Sequence, residues 1–368
     1  MSRGVVATRP RIASLDVARG LFLIASVTSA SVLAPVPAWL RHPSWFGVTP
    51  YDLIFPLFVS LSGIGLAFAY RRRRDARVTA RRVIVLVLAG ILYTALYSGH
   101  TELSTLRLTG VLQLYAVLVL AAALLHTVLR TARGWAVVTV GVALLGTAAY
   151  WWFEARCPSG VLSPACNPSG VIDGRIFGVH MYAGGERGHD PEGVVAICGA
   201  FVTAAAGTTA GHIAIDARAG SARVGLVKLC VWTVSCALLG MLLAQVVEPF
   251  KRLWTPSFAL LAAALGLLIF TVVYAVVDVW LARVRGVSDH PATWPLVALG
   301  RNSLLVYFGS HLAAALLMRA GGDISYAERV GTALSLVWGP QTAFMLTSLA
   351  FWWVVAMVLH RQRIYVRP

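Results

Sequence analysis

The sequence predicts an all-α fold: a polytopic integral membrane protein of about ten transmembrane helices, with both termini in the cytoplasm. Two observations carry that reading. Of the 368 residues, 58% are hydrophobic and only 12% charged, a balance that a water-soluble domain of this length does not carry. The apolar residues also fall into runs of about 20, the length needed to cross a bilayer as a helix.

Ten such runs follow in order: residues 14–35, 50–70, 82–98, 108–129, 134–153, 193–214, 224–246, 256–280, 293–318 and 338–360. The first is preceded by Arg3, Arg9 and Arg11, which imitates a secretory signal. Asp16 and Arg19 interrupt it and Pro35 follows its best small-residue cleavage site, so it reads as a retained helix. The second opens with Thr49-Pro50, an N-cap followed by proline at the first helical position, and Asp52 falls in its first turn. The third is short. The ninth is interrupted at Gly300-Arg301-Asn302, which reads as a helix break or start. No internal repeat is visible, and the chain reads as a single transmembrane domain over 1–368.

The charges set the orientation. Lys and Arg number 31 against 15 Asp and Glu, a formal net charge of +16. The basic residues are clustered between apolar runs, as in cytoplasmic membrane loops, which argues against nucleic acid as a partner. The loop after the second run, RRRRDARVTARR, is the most basic stretch. Arg130 and Arg133, Arg218 and Arg223, Arg283 and Arg285, and Arg361, Arg363 and Arg367 continue the alternation. His42, the loop 154–192, Lys251 and Arg252 then face outward. The Ala/Arg/Val-rich composition and the lack of an N-terminal extension suggest a bacterial plasma membrane.

Of five cysteines, Cys198, Cys230 and Cys236 lie in apolar runs and read as buried, inert thiols. Cys157 and Cys166 share the outward loop; on an oxidising face they can pair, or stay as two free thiols. No spacing suggests zinc or another metal.

His42 is the one side chain near the start of the second span that exchanges a proton near neutral pH. It is either a catalyst or part of an interfacial turn in which Trp45 and Tyr51 anchor at the headgroups. Asp16 and Arg19, three apart, can share a helix face as an ion pair. Gln113, Arg301 and Asn302 are polar at membrane depth and either line a cavity or form an interhelical knot. If the ninth run starts a helix at Arg301, that end can hold an anion such as a phosphate. Asp278 reads as interfacial, and His311 as a hydrogen-bonded core histidine or a functional one. In the outward loop His180, Tyr182, His189, Asp190 and Glu192 cluster, with Asp190-Pro191 read as the cap and first residue of the sixth span.

Taken together, RIASLDVARG, HPSWFGVTPYDLIFPLFVSLSG, LTGVLQLYAV, CPSGVLSPACNPSGVIDGRIFGVHMY, HDPEGVV, FKRLWTPSF and GRNSLLVYFGS form an ordered series. It resembles the heparan-α-glucosaminide N-acetyltransferase family over nearly the whole chain. The resemblance implies a membrane acyltransferase that takes an acetyl group from cytosolic acetyl-CoA, as cosubstrate, and delivers it to an amino sugar or cell-envelope glycan outside. The catalytic histidine of the family falls on His42. Where the family often has an asparagine near the outer end of the first span, this chain has Ala30; its Gln-Arg pair is Gln113-Leu114 here, and His311 stands where the animal enzyme is acidic.

On that reading His42 is the general base or the acyl acceptor, Asp52 orients it, and Asn302 or Gln113 donates to the oxyanion. Arg301, Gln113 and Trp45 are candidates for the CoA thioester, and His180, Asp190 and Glu192 for the acceptor. A homodimer is left open. The competing reading is a transporter or flippase for a sugar or lipid-linked substrate, which intramembrane polar groups and a broken span also suit. A further one is an inactive family member acting as a scaffold.

Overall fold

The computed structural model describes residues 12–71, 75–99, 102–281, 291–335 and 338–366. Arg3, Arg9, Arg11, Arg283, Arg285, Arg367 and the middle of the 71–82 basic run lie outside the described residues.

Among the described residues the regular structure is helical: α1 (Ala13–Ala30), α2 (Pro50–Tyr70), α3 (Ala76–Ser98), α4 (Val111–Leu125), α5 (Ala132–Glu154), α6 (Pro168–Phe177), α7 (Val194–Ala219), α8 (Ala222–Ala244), α9 (Pro256–Tyr274), α10 (Trp294–Arg301), α11 (Ser303–Arg319), α12 (Tyr326–Ala333) and α13 (Pro340–Arg361). A π-helical turn, Ala275–Trp280, extends α9. Eight helices, α1, α2, α3, α5, α7, α8, α9 with its π turn, and α13, are long and apolar enough to cross a membrane. The shorter apolar α4 and α11 complete the ten expected spans. The protein is a polytopic integral membrane protein.

Three boundaries differ from the sequence expectation. The third span is not short: α3 starts at Ala76, because Asp75 caps it by accepting from the backbone N–H of Arg77 at 2.9 Å. The first span ends at Ala30, not 35. The sixth does not begin at Asp190; α7 starts at Val194. Its first turn is capped across the fold by Asp173, whose Oδ1 accepts from Val194 N at 2.7 Å. The ninth span breaks where expected, with Asn302 ending α10 and preceding α11. Two helices were not foreseen. Both have start signals: Asn167-Pro168 opens α6, and Ser325 with Glu328 forms the capping box of α12.

The core is α2 against α7, joined through small residues. A Cβ at Gly63 would meet the Ala204 carbonyl, and one at Gly207 the Ser60 carbonyl. Backbone contact this close needs glycine, as at many intramembrane crossings. The outer helices expose apolar side chains, including Leu88 and Leu92 of α3, Val227 and Leu238 of α8, and Phe351 of α13. Such surface belongs in lipid, not water. Cys198 and Cys230 lie on exposed helix faces, so of the three unpaired cysteines only Cys236 is buried as expected.

Side-chain contacts sort the connections into two poles. At one, the segments after α1, α3, α5 and α8 meet. Trp45 Nε1 donates to the Leu162 carbonyl at 3.0 Å, His180 binds the Leu106 carbonyl at 2.8 Å, and Arg252 donates to the Pro43 carbonyl. At the other, Ser14 N donates to Asp278 at 3.1 Å, the His212 and His126 Nε2 atoms lie 3.3 Å apart, and Trp294 packs on His360. Arg130 and Arg133 between α4 and α5, Arg218 and Arg223 around the α7–α8 turn, and Arg361 and Arg363 after α13 belong to the second pole, whereas Lys251 and Arg252 belong to the first.

Candidate active site and an adjoining cavity

The first turn of α2 builds the site. Pro50 supplies a fixed φ at the helix start, and Asp52 folds back on the cap: its Oδ2 accepts from Thr49 N at 2.9 Å and Thr49 Oγ1 at 3.0 Å. This holds the carboxylate in one orientation while it is almost fully buried. The other oxygen, Oδ1, faces the Nδ1 of His42 at 2.5 Å and the Lys251 Nζ at 3.7 Å. With the carboxylate ionised, Nδ1 is the nitrogen that donates to Asp52, which leaves Nε2 as the ring nitrogen outside this contact. Asp52 is buried, but 44% of the His42 side chain is exposed, so the imidazole is accessible from the pole. The Tyr51 ring lies against it, centroids 4.6 Å apart.

Lys251 and Arg252 come from the turn between α8 and α9. Arg252 fastens the segment that carries His42, donating from Nε and Nη2 to the Pro43 carbonyl at 3.1 and 2.5 Å. Its Nη1 reaches His189 Nε2 at 3.2 Å. His189 is buried, and burial lowers its tendency to take a proton, with Arg252 and Lys251 acting in the same direction. Burial likewise pulls Lys251 below the usual lysine range, against Glu192 and Asp52, which favour its charge. Sequence reasoning placed Lys251 and Arg252 outside but gave them no role. The signal was the FKRLWTPSF motif; the contact partners lie some 200 residues away.

The expected acceptor residues are placed together, as a loop clasp. Asp190 is fully buried and accepts from Arg107 Nη2 at 3.0 Å, Thr109 Oγ1 at 2.5 Å and Tyr182 N at 2.7 Å. Glu192 accepts from Arg107 Nη2 at 2.5 Å. Opposite charges hold the Arg107 guanidinium above its ordinary range despite burial. His180 ties the same two loops. Asp190 has no oxygen left to offer a ligand. Trp45 is also no headgroup anchor: it is 7% exposed, edge-on to His189, and packed with Phe250, Leu162 and Cys157. The Cys157–Cys166 disulfide is part of the same loop core.

At the opposite pole a cavity of about 550 Å³ enters the helix bundle. Its mouth carries Asp16, Arg19, Arg82 and Arg301, with Val366 from the C-terminal tail. Arg301 lies over the Tyr365 ring at 4.1 Å, and its Nε and that of Arg82 are buried without a hydrogen-bond partner among the described residues. Asp16 and Arg19 pair at 3.7 Å. The interior is lined by Phe58, Tyr115, Tyr307 and Phe308, and it ends at Phe55, one helical turn beyond Asp52. The cavity and the narrow cleft at His42 share no lining residue. Phe55, in edge contact with Tyr115 and Trp254, and Phe58, in edge contact with Phe22 and Tyr307, form an aromatic layer between them.

Asn302 does not join His42. It is buried at the break, donating to the Ala298 and Ala356 carbonyls, next to Gly300, which packs on the Asp16 backbone at the cavity pole. Its Nδ2 takes up the Ala298 carbonyl that the helix break leaves free, and also reaches the Ala356 carbonyl of α13. Gln113 stands in the first turn of α4, wedged between Gly90 and Gly110, with its amide atoms buried and unpartnered among the described residues. It is not in the cavity lining, although its neighbours Leu112 and Tyr115 are. His311 binds the Tyr307 carbonyl at 2.8 Å and stacks on that ring.

Residues 11–159 match the family model described as heparan-alpha-glucosaminide N-acetyltransferase, catalytic. Over 359 residues the chain is 25% identical to the heparan-alpha-glucosaminide N-acetyltransferase of Homo sapiens, covering 82% of this chain and 52% of the relative. The Mus musculus protein of the same name is 24% identical, with 81% and 53% covered. The chain spans about half the length of these curated relatives. The family-matched segment runs from α1 through α5 and holds His42, Asp52, Arg19 and Arg82. The resemblance carried by the ordered motifs is thereby borne out: this multispan membrane protein is similar to the heparan-α-glucosaminide N-acetyltransferases, with residues 11–159 matching the catalytic model of that family.

Proposed function

We propose that the protein is a transmembrane acetyltransferase of the bacterial plasma membrane. It moves an acetyl group from cytosolic acetyl-CoA to an extracytoplasmic amino sugar or cell-envelope glycan. The observation that carries the reading is the alignment of two half-sites along α2. A His42–Asp52 pair with the imidazole exposed and the carboxylate buried stands at one pole, and an arginine-mouthed cavity from the other pole ends one turn below it.

The cavity suits a CoA thioester. Its three arginines face a polyanionic head, and its aromatic interior suits an apolar arm with the thioester foremost. Asp52 keeps Nδ1 of His42 protonated and stabilises positive charge on the ring, so Nε2 is the reacting nitrogen. In one route Nε2 attacks the acetyl carbon, the C–S bond breaks, and CoA leaves as the thiolate. The acceptor amine then attacks the acyl-imidazole, loses a proton and frees His42. In the direct route Nε2 takes the amine proton as the amine attacks the thioester carbon, the C–S bond breaks, and CoA leaves as the thiolate, which the imidazolium reprotonates. Both place the acetyl group at His42.

The test is purified protein in vesicles, with acetyl-CoA at the basic pole and glucosamine at the other. CoA release coupled to N-acetylglucosamine formation is expected, and His42→Ala is expected to lower the rate about 10²–10⁴-fold while the protein stays folded. Near-normal turnover by that variant, or sugar uptake without CoA consumption, overturns the proposal.

A further inference from the structure

We infer that Lys251 is a positioning residue for His42: held against Asp52, its ammonium is the standing counter-charge of that carboxylate and keeps the imidazole neutral. Its catalytic consequence rests on the acetyltransferase reading; its electrostatic content does not.

A carboxylate with no exposed side-chain surface, as at Asp52, needs a partner charge. Its Oδ2 has only the neutral donors of Thr49. Its Oδ1 faces two groups able to carry a positive charge, His42 Nδ1 and Lys251 Nζ. If His42 stood alone there, the buried carboxylate would draw a second proton onto the imidazole and remove the lone pair from Nε2. With Lys251 in place the charge is already matched, and a second cation on the same oxygen is repelled.

The other facing groups agree. Arg252 brings a second fixed positive charge to the neighbouring Pro43 carbonyl, and His189 accepts from Arg252 as a neutral ring. Glu192 is engaged by Arg107, Tyr51 offers a neutral ring, and Arg41 donates to the Val36 carbonyl. Glu192 is the other carboxylate that faces Lys251, and its charge is balanced by Arg107, so the Lys251 ammonium is left to Asp52.

The turn that carries Lys251 is rigid. Phe250 N donates to Thr255 Oγ1 at 2.9 Å, Thr255 N donates back to the Phe250 carbonyl at 3.1 Å, and Trp254 N donates to the Lys251 carbonyl at 3.1 Å. Thr255 Oγ1 also donates to the Glu248 carbonyl, and Trp254 is buried. These bonds fix the backbone position from which the Lys251 ammonium reaches Asp52.

The test is an NMR titration of full-length protein carrying isotope-labelled histidine, with the His42 signal assigned by its loss in His42→Gln. In Lys251→Met the His42 ring is expected to take up its proton about one pH unit higher than in the parent, and in Lys251→Arg at the parental pH. The acid limb of the acetyl-transfer rate is expected to move up with it in the Met variant. Lys251→Gln gives the same reading if the Met variant does not fold. Unchanged or lowered His42 titration in the uncharged variant overturns the inference. The titration needs no turnover, so absence of acetyl transfer overturns the proposed function alone.

Discussion

Arg252 donates two hydrogen bonds to the carbonyl of Pro43, the residue directly after His42 and 209 positions away in sequence. The segment bearing His42 has no regular structure of its own after the short 3₁₀ turn Ala38–Leu40. Its position therefore depends on that clamp, on Asp52 and on the buried Trp45, which donates to the Leu162 carbonyl. Arg252→Met is expected to cost roughly 10- to 100-fold in acetyl-transfer kcat with the KM for acetyl-CoA little changed, because the imidazole, not the donor cavity, is displaced. Steady-state kinetics at both poles of proteoliposomes would check this.

Arg301 is expected to behave in the opposite way. It sits at the cavity mouth with a buried, unpartnered Nε. Arg301→Met should raise the KM for acetyl-CoA about tenfold or more and leave kcat within a few-fold. Direct binding of CoA by calorimetry supplies a readout that does not need the acceptor.

Two glycines give a paired stability test. A Cβ at Gly207 would strike the Ser60 backbone, whereas one at Gly141 meets nothing within 4 Å. Gly207→Ala is expected to destabilise by about 1–3 kcal/mol through overpacking of α2 on α7. Gly141→Ala should be neutral or slightly stabilising, since alanine is the better helix former. Thermal unfolding of the two variants side by side decides it.

His189 predicts acid sensitivity of the outer loops. Burial first, then Arg252 and Lys251, hold it below the ordinary histidine value. The unfolded chain thus binds its proton at higher pH than the folded one, so stability rises with pH across that window and falls as pH drops below about 6.5. His189→Gln, which can still accept from Arg252, should flatten the slope. Tryptophan fluorescence, reporting Trp45 beside His189, would follow the transition.

How legible this was in the sequence depends on the range of each interaction. The spans, the break at Asn302 and the two poles follow from apolar run length, one polar tripeptide and the alternation of basic clusters, all local signals. The juxtaposition of His42 and Asp52 was also within reach, ten residues apart with a helix start between them. Lys251 and Arg252 were not, because nothing local tells which turn will close over His42. Asp190 misled for the same reason: Asp-Pro reads as a helix start, yet Asp173 from α6 caps α7 instead. Trp45 looked interfacial because a lone tryptophan beside a span usually is. Its burial depends on the loop 154–192 folding back over it, which composition does not show.

The aromatic layer of Phe55 and Phe58 has a consequence for the cell as well as for the chemistry. A protein that hands a group across a bilayer invites a leak, since a continuous column of water would pass protons and ions down their gradients. Here the large cavity stops at Phe55 and shares no lining residue with the cleft at His42. A two-carbon acyl group needs only a transient gap between rings, while a hydrated ion would need them all displaced. On the acetyl-transfer reading, the rings that close the cavity toward His42 also serve as an electrical seal that lets the bilayer keep its membrane potential.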